Sequence, residues 1–163
     1  MDGRIEAAGE VGETEARDGF VANYLLYLLA AASDSASAQF HAHVREMGVR
    51  VPEWRVLACL NDRDGEMVTR LAGYALIEQS RLTKIIAQMD AKGWVTRRGD
   101  AADRRRVRVY LTPEGRALAE RLVAAAREHE TRLMAGLAGR DGARIKTALR
   151  ALLASLDPED SAG

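Results

Sequence analysis

Five arginines fall within ten residues: Arg97, Arg98, Arg104, Arg105 and Arg106, with only Asp100 and Asp103 as acids among them. A guanidinium is permanently charged and presents a planar fork of donors that matches phosphate oxygens and guanine edges. Such a cluster binds anions and makes or breaks no bonds itself. Just upstream, Gln79, Ser80, Arg81, Thr83, Lys84 and Gln88 are the polar positions of a stretch whose apolar residues Leu82, Ile85, Ile86 and Met89 share one helical face. Arg can fork onto guanine, Gln onto adenine, and Ser or Thr can reach phosphate or base. The two sets together suit a double-stranded polyanion with readable groove edges. A charge run is more often a plain solvated face, so the elements that carry these residues must decide.

Total charge would mislead. The 163-residue chain has 24 basic and 24 acidic residues, yet Gln79–Arg108 holds nine Lys/Arg against three acids, a surplus of six, while Met1–Gly19 carries six acids against two arginines. A phosphate responds to charge within a Debye length of about 10 Å, so the local surplus is what counts. No HExxH, GxSxG or phosphate-cradling Gly-rich loop occurs, and Glu114 and Glu120 read as helix-surface carboxylates. No catalytic residue, no cofactor and no enzyme activity is therefore expected. His41 and His43 diverge around a helix and His129 is distant, so no metal site is expected. Cys59 is the sole cysteine, in an apolar run without a cationic neighbour, and reads as an inert thiol. Redox or metal sensing stays as a competing reading. The acidic start does not resemble a signal peptide, and the apolar run Phe20–Ala32 is shorter than the about 20 residues a bilayer needs. These features predict a cytoplasmic protein with no membrane association.

The composition, 47% hydrophobic and 29% charged with 5% aromatic, supports a packed and mostly helical core. Residues 1–18 read as a flexible acidic tail. Val21, Leu25, Leu28, Leu29, Ala32, Ala36, Phe40, Val44 and Met47 mark one long helix from about Gly19 to Met47, stopped by Gly48. Pro52 suits the first position of a second helix through Leu60. A short helix over about Met67–Tyr74, a tight turn at Ala75–Ile77 and a helix over about Glu78–Lys92 ended by Gly93 follow. Trp94–Arg98 and Arg106–Leu111 flank a Gly/Asp turn and predict a β-hairpin. Thr112-Pro113-Glu114 predicts a helix start with Thr as cap, and that helix runs to about Leu137. A last helix spans about Asp141–Leu156. The expected fold is mainly α with a small β-hairpin wing: a winged helix-turn-helix over 51–112, flanked by helical regions over 19–50 and 113–157, with a tail over 158–163. A purely helical protein-interaction module would explain the terminal helices but not the wing arginines.

Val51-Pro52-Glu53-Trp54-Arg55-Val56-Leu57, Leu71-Ala72, Leu82-Thr83-Lys84-Ile85-Ile86, Lys92-Gly93-Trp94-Val95, Asp103-Arg104-Arg105 and Leu111-Thr112-Pro113-Glu114-Gly115 resemble the MarR family of bacterial transcriptional regulators. The likeness covers about Phe20 to Leu156. It implies a homodimeric regulator, most simply a repressor, whose helices over 19–50 and 113–157 serve dimerisation and which reads a pseudo-palindromic DNA operator with half-sites about one helical turn apart. It also implies that Arg105 enters the minor groove while Asp103 orients a neighbouring arginine. Two departures stand out: Leu76 replaces a usual turn glycine, and Glu78 replaces a usual Asp or Ser cap, which predicts a poorer helix start.

Family members often bind a small-molecule effector between the dimer base and the DNA-binding lobe. The candidates here are Tyr24, Tyr27, Phe40, His41, Arg45, Trp54 and Arg55, with the aromatics stacking on a ring and an arginine meeting a carboxylate or phosphate. The alternative for the aromatics is ordinary core or interface packing. Val21–Leu60 resembles members that govern aromatic-acid catabolism, which makes an aromatic acid or its acyl-CoA thioester the candidate effector class.

Overall fold

The computed structural model describes residues 19–100, 103, 106–137 and 141–156. The chain forms two compact units, Met1–His41 and Ala42–Gly163. In the first, α1 (Phe20–Asn23) is followed by most of α2 (Leu25–Glu46). The single helix expected from Gly19 to Met47 is thus broken at Tyr24, whose backbone is extended at φ −75°, ψ 119°. No glycine or proline marks the break in sequence. The extended residue forgoes helical continuity but leaves the Phe20 and Tyr24 rings stacked, 5.0 Å apart at 24°, a contact worth about 0.5–1.5 kcal/mol. Phe20, Leu25, Leu26 and Leu28 are exposed on this unit.

The second unit contains the end of α2, then α3 (Val51–Asp62), β1 (Glu66–Met67), α4 (Val68–Ala75), α5 (Gln79–Ala91), β2 (Val95–Gly99), β3 (Val107–Leu111), α6 (Pro113–Ala135) and α7 (Asp141–Leu156). Gly48 and Gly93, the two expected stops, adopt φ +74° and +73° just beyond the ends of α2 and α5. Pro52 lies one residue further into α3 than expected, still within the first turn, where its missing donor costs nothing. Thr112 caps α6 as expected: its Oγ1 accepts from the Gly115 amide at 3.0 Å and donates to the Gly93 carbonyl at 2.6 Å.

The hairpin is part of a three-stranded antiparallel sheet in the order β1-β3-β2. Val95 faces Leu111 and Gly99 faces Val107 across the wing, while Glu66 and Met67 pair with Val109 and Arg108. β1 is a correction, because Met67 reads in sequence as the start of a helix. A two-residue strand shows no period, and its partner lies about forty residues away. The core is built from Val56, Leu57 and Leu60 of α3, Leu71 of α4, Leu82, Ile86 and Met89 of α5, Val95 and Val109 of the sheet and Leu122 of α6, all essentially inaccessible. Each such side chain contributes roughly 1.5–3 kcal/mol of apolar burial. This core seats α4, α5 and the wing on the platform of α3 and α6. On α7, Ile145, Leu149, Leu153 and Leu156 stay exposed. No helix among the described residues is long and apolar enough to cross a membrane.

Candidate nucleic-acid interface

The turn between α4 and α5 departs from the usual chemistry and still closes. Leu76 takes the left-handed conformation at φ 54°, ψ 47°, which costs a non-glycine residue roughly 1–2 kcal/mol. The Ile77 amide donates to the Ala72 carbonyl at 3.0 Å, so the chain reverses as a glycine-bearing turn would. Leu76 itself is 80% exposed.

Glu78 is a better cap than its type suggests, which corrects the sequence expectation. Its carboxylate accepts from the Ser80 amide at 2.9 Å, the Arg81 amide at 3.0 Å and the Ser80 hydroxyl. The Ser80 hydroxyl bond, followed by the two amide bonds, holds the Glu78 carboxyl below the ordinary range. From an extended backbone the longer side chain reaches the same orphan amides that an aspartate would satisfy.

A groove of about 560 Å³ runs between the start of α4, the first turns of α5 and the wing. Val68, Thr69 and Arg70 line it from α4, Gln79, Thr83 and Ile86 from α5, and Arg97, Arg106 and Val107 from the wing. Gln79, Thr83 and Ile86 are spaced four and three residues apart and so share one face of the helix. Of the candidate contacts, Gln79, Thr83, Arg97 and Arg106 therefore meet at one groove. Ser80, Arg81 and Lys84 are exposed on the adjoining surface of α5. Gln88 is placed differently: near the far end of the helix, its side-chain oxygen accepts from Arg50.

The wing arginines are individually oriented. Arg97 pairs with Asp90 of α5 at 3.0 Å. The Arg98 guanidinium lies 4.9 Å from the Tyr110 ring centre. Asp103 lies 3.6 Å from the Arg106 guanidinium, and the Arg106 amide donates to the Asp103 carbonyl at 2.8 Å. Arg104 and Arg105 lie outside the described residues. Arg108, one of the nine basic residues in the local surplus, is an internal brace. It donates to Asp100 and, at 2.9 Å, to the Gly65 carbonyl, tying the wing to the turn before β1.

Sequence reasoning missed Thr69 and Arg70. Both are exposed, whereas Leu71, Ala72 and Ala75 are buried. The signal was available: once Leu71 and Ala72 face the core, the residues just before them face outward, where the first helix of a helix-turn-helix crosses the DNA backbone.

The remaining candidates divide between the units. Tyr24 and Tyr27 are exposed, Phe40 is buried and His41 is half-buried in the first; Arg45 and Arg55 are exposed and Trp54 is half-buried in the second. Burial, together with the Asp62 charge, pushes the Cys59 thiol up, away from the reactive thiolate. Among the described residues no group of three His, Cys, Asp or Glu is arranged to hold a metal ion.

Residues 49–107 match the sequence model of the MarR family. The chain is 65% identical to a MarR family transcriptional regulator from Silicibacter pomeroyi DSS-3, whose crystal structure superposes with a TM-score of 0.79 over 86% of this chain and 100% of that one. It is also similar to the transcriptional repressor CouR bound to a 23-mer DNA duplex, at 26% identity and a TM-score of 0.70 over 83% of this chain and 96% of that one. A third similar structure, BpsR of Bordetella bronchiseptica, concerns the regulation of DNA binding by 6-hydroxynicotinic acid; it is 27% identical, with a TM-score of 0.71 over 80% of this chain and 93% of that one. Members of the family are transcriptional regulators rather than enzymes. With its helix-turn-helix, wing and 65% identity across the whole of a solved relative, the chain belongs to the MarR family and is a DNA-binding transcriptional regulator.

Proposed function

We propose that the protein is a homodimeric repressor of a pseudo-palindromic operator, with α5 in the major groove, the wing in the adjoining minor groove, and a small-molecule effector that releases it. The observation that carries the DNA surface is the groove where Arg70, Gln79, Thr83, Arg97 and Arg106 converge from three elements. Side chains on α5 suit base edges, and arginines on a thin wing suit the strong negative potential of a narrow minor groove. Arg105 falls between β2 and β3 in the sequence and is the proposed minor-groove residue. Dimerisation is supported by apolar side chains left in water at both ends of the chain: Phe20 is 76% exposed, Leu26 59%, Leu153 67% and Leu156 69%. A two-fold pair then matches a two-fold operator.

Mobility shift with the DNA upstream of the protein's own gene tests this reading. Binding should weaken steeply as salt rises, because each neutralised phosphate releases counterions. Arg105→Ala should weaken it at least tenfold, roughly 1.4 kcal/mol or more, with the dimer unchanged. A shift that is absent or indifferent to salt sinks the proposal, and unchanged binding by Arg105→Ala removes the wing's role.

The effector reading rests on Tyr24, Tyr27, Phe40, His41, Arg45, Trp54 and Arg55, residue types able to stack on a ring and pair with a carboxylate. The similar regulator whose DNA binding responds to 6-hydroxynicotinic acid supports an aromatic acid; a CoA thioester of one is the larger candidate. Binding linkage is reciprocal, so operator DNA should weaken binding of the aromatic acid by the same factor by which the acid weakens DNA binding. Equal affinity of the acid with and without operator in calorimetry would exclude this mode of release.

A further inference from the structure

Glu53 is the one buried charged side chain among the described residues, with no exposure at all. Its carboxylate accepts from the Arg50 amide at 2.9 Å, the Arg50 guanidinium at 2.7 Å and the Lys92 ammonium at 2.8 Å. Both partners extend the grip. The same Arg50 guanidinium donates to Gln88 on α5. The Lys92 ammonium lies 4.4 Å from the Trp94 ring centre, at the lead into β2. One carboxylate on α3 therefore holds the C-terminal end of α5 and the root of the wing together. Burial pushes its pKa up, but the hydrogen bonds from Arg50 and Lys92 outweigh that and hold it below the ordinary range. The group is charged.

A buried ion pair is a poor source of bare stability, since apolar side chains of similar volume often do as well. What it adds is direction. Apolar surfaces in contact can slide past one another, whereas a carboxylate with three fixed donors admits one arrangement. We infer that Glu53 is a positioning residue for DNA binding, setting α5 against the wing so that Gln79, Thr83, Arg97 and Arg106 face a single groove. This rests on the proposed reading of α5 and the wing as the DNA surface.

The test uses the full-length protein and operator DNA at several salt concentrations, with thermal melting alongside. Glu53→Gln keeps the shape and removes the charge, and Lys92→Met keeps the stem and removes the ammonium. Each should weaken operator binding about tenfold. Neither should change the salt slope, because the same phosphates stay neutralised in the complex. The double variant should be about as weak as either single one, since both changes break the same link. Should Glu53→Gln fail to fold, Lys92→Met decides alone, because the lysine is part-exposed at 38%. Folded single variants with wild-type affinity overturn the inference and leave the DNA surface standing. A salt slope reduced by about one in Lys92→Met overturns it too, by making Lys92 a direct phosphate ligand. Wild-type protein without salt-sensitive binding overturns both readings.

Discussion

Gly115→Ala is expected to destabilise the protein by about 3–5 kcal/mol, lowering Tm by about 10 °C, although Gly→Ala inside a helix normally stabilises by about 0.5–1 kcal/mol. The sign reverses because of what the first turn of α6 touches. A Cβ at position 115 would come within 1.8 Å of the Trp94 carbonyl oxygen and 2.7 Å of its carbon. These are backbone atoms with nowhere to go. The Trp94 carbonyl is held by the Thr112 amide at 3.1 Å, and Thr112 also donates to Gly93. Relieving the clash would separate α6 from the lead into the wing and break these bonds together. Calorimetry of the purified variant measures this directly; an equal or raised Tm would show that the two elements separate without penalty.

The second large effect concerns DNA. Replacing Arg70, Arg97 and Arg106 together by alanine should lower operator affinity by about a thousandfold or more at 0.1 M salt, at about 1.5 kcal/mol for each charged hydrogen bond to DNA that is removed. It should also reduce the salt slope by about 2.7, on the basis of about 0.9 for each phosphate no longer neutralised. Stability should barely move. The ion pairs given up, Arg97 with Asp90 and Arg106 with Asp103, are at the surface, where such pairs contribute about 0–1 kcal/mol. A folded triple variant with the wild-type slope would mean that the groove does not meet phosphates. The slope separates this variant from Glu53→Gln, whose weakening should be independent of salt.

Much of this was legible in the residues, and what was not has physical reasons. The period of Leu82, Ile85, Ile86 and Met89 located α5 because apolar spacing is set locally. Thr112-Pro113-Glu114 located the start of α6 because capping is a short-range contract between neighbours. The long-range relations were hidden. β1 is only two residues, and its pairing with Val109 and Arg108 leaves no periodic trace. Arg108 counted toward a basic surface, yet it faces Asp100 and Gly65. Glu53 stands in the first turn of α3, and nothing in its neighbourhood points to Lys92, 39 residues away. The break at Tyr24 carries no glycine or proline to announce it. At the candidate interface, residue types on α5 and the wing were readable, and the exposure of Thr69 and Arg70 follows from the core placement of Leu71 and Ala72 beside them.

The cap on α5 has a wider consequence. A helix start usually projects partial positive charge that draws any nearby anion, whatever its chemistry. Here Glu78 satisfies the Ser80 and Arg81 amides from within the chain, and its charge offsets that end of the dipole. On the proposed reading, the start of α5 enters its groove without an indiscriminate dipole pull on the backbone. Generic attraction is delegated to the arginines around it, leaving Gln79 and Thr83 to discriminate. A protein that must scan a long excess of wrong sequence gains from this division, because the part that holds on is screened by salt while the part that discriminates does not depend on charge.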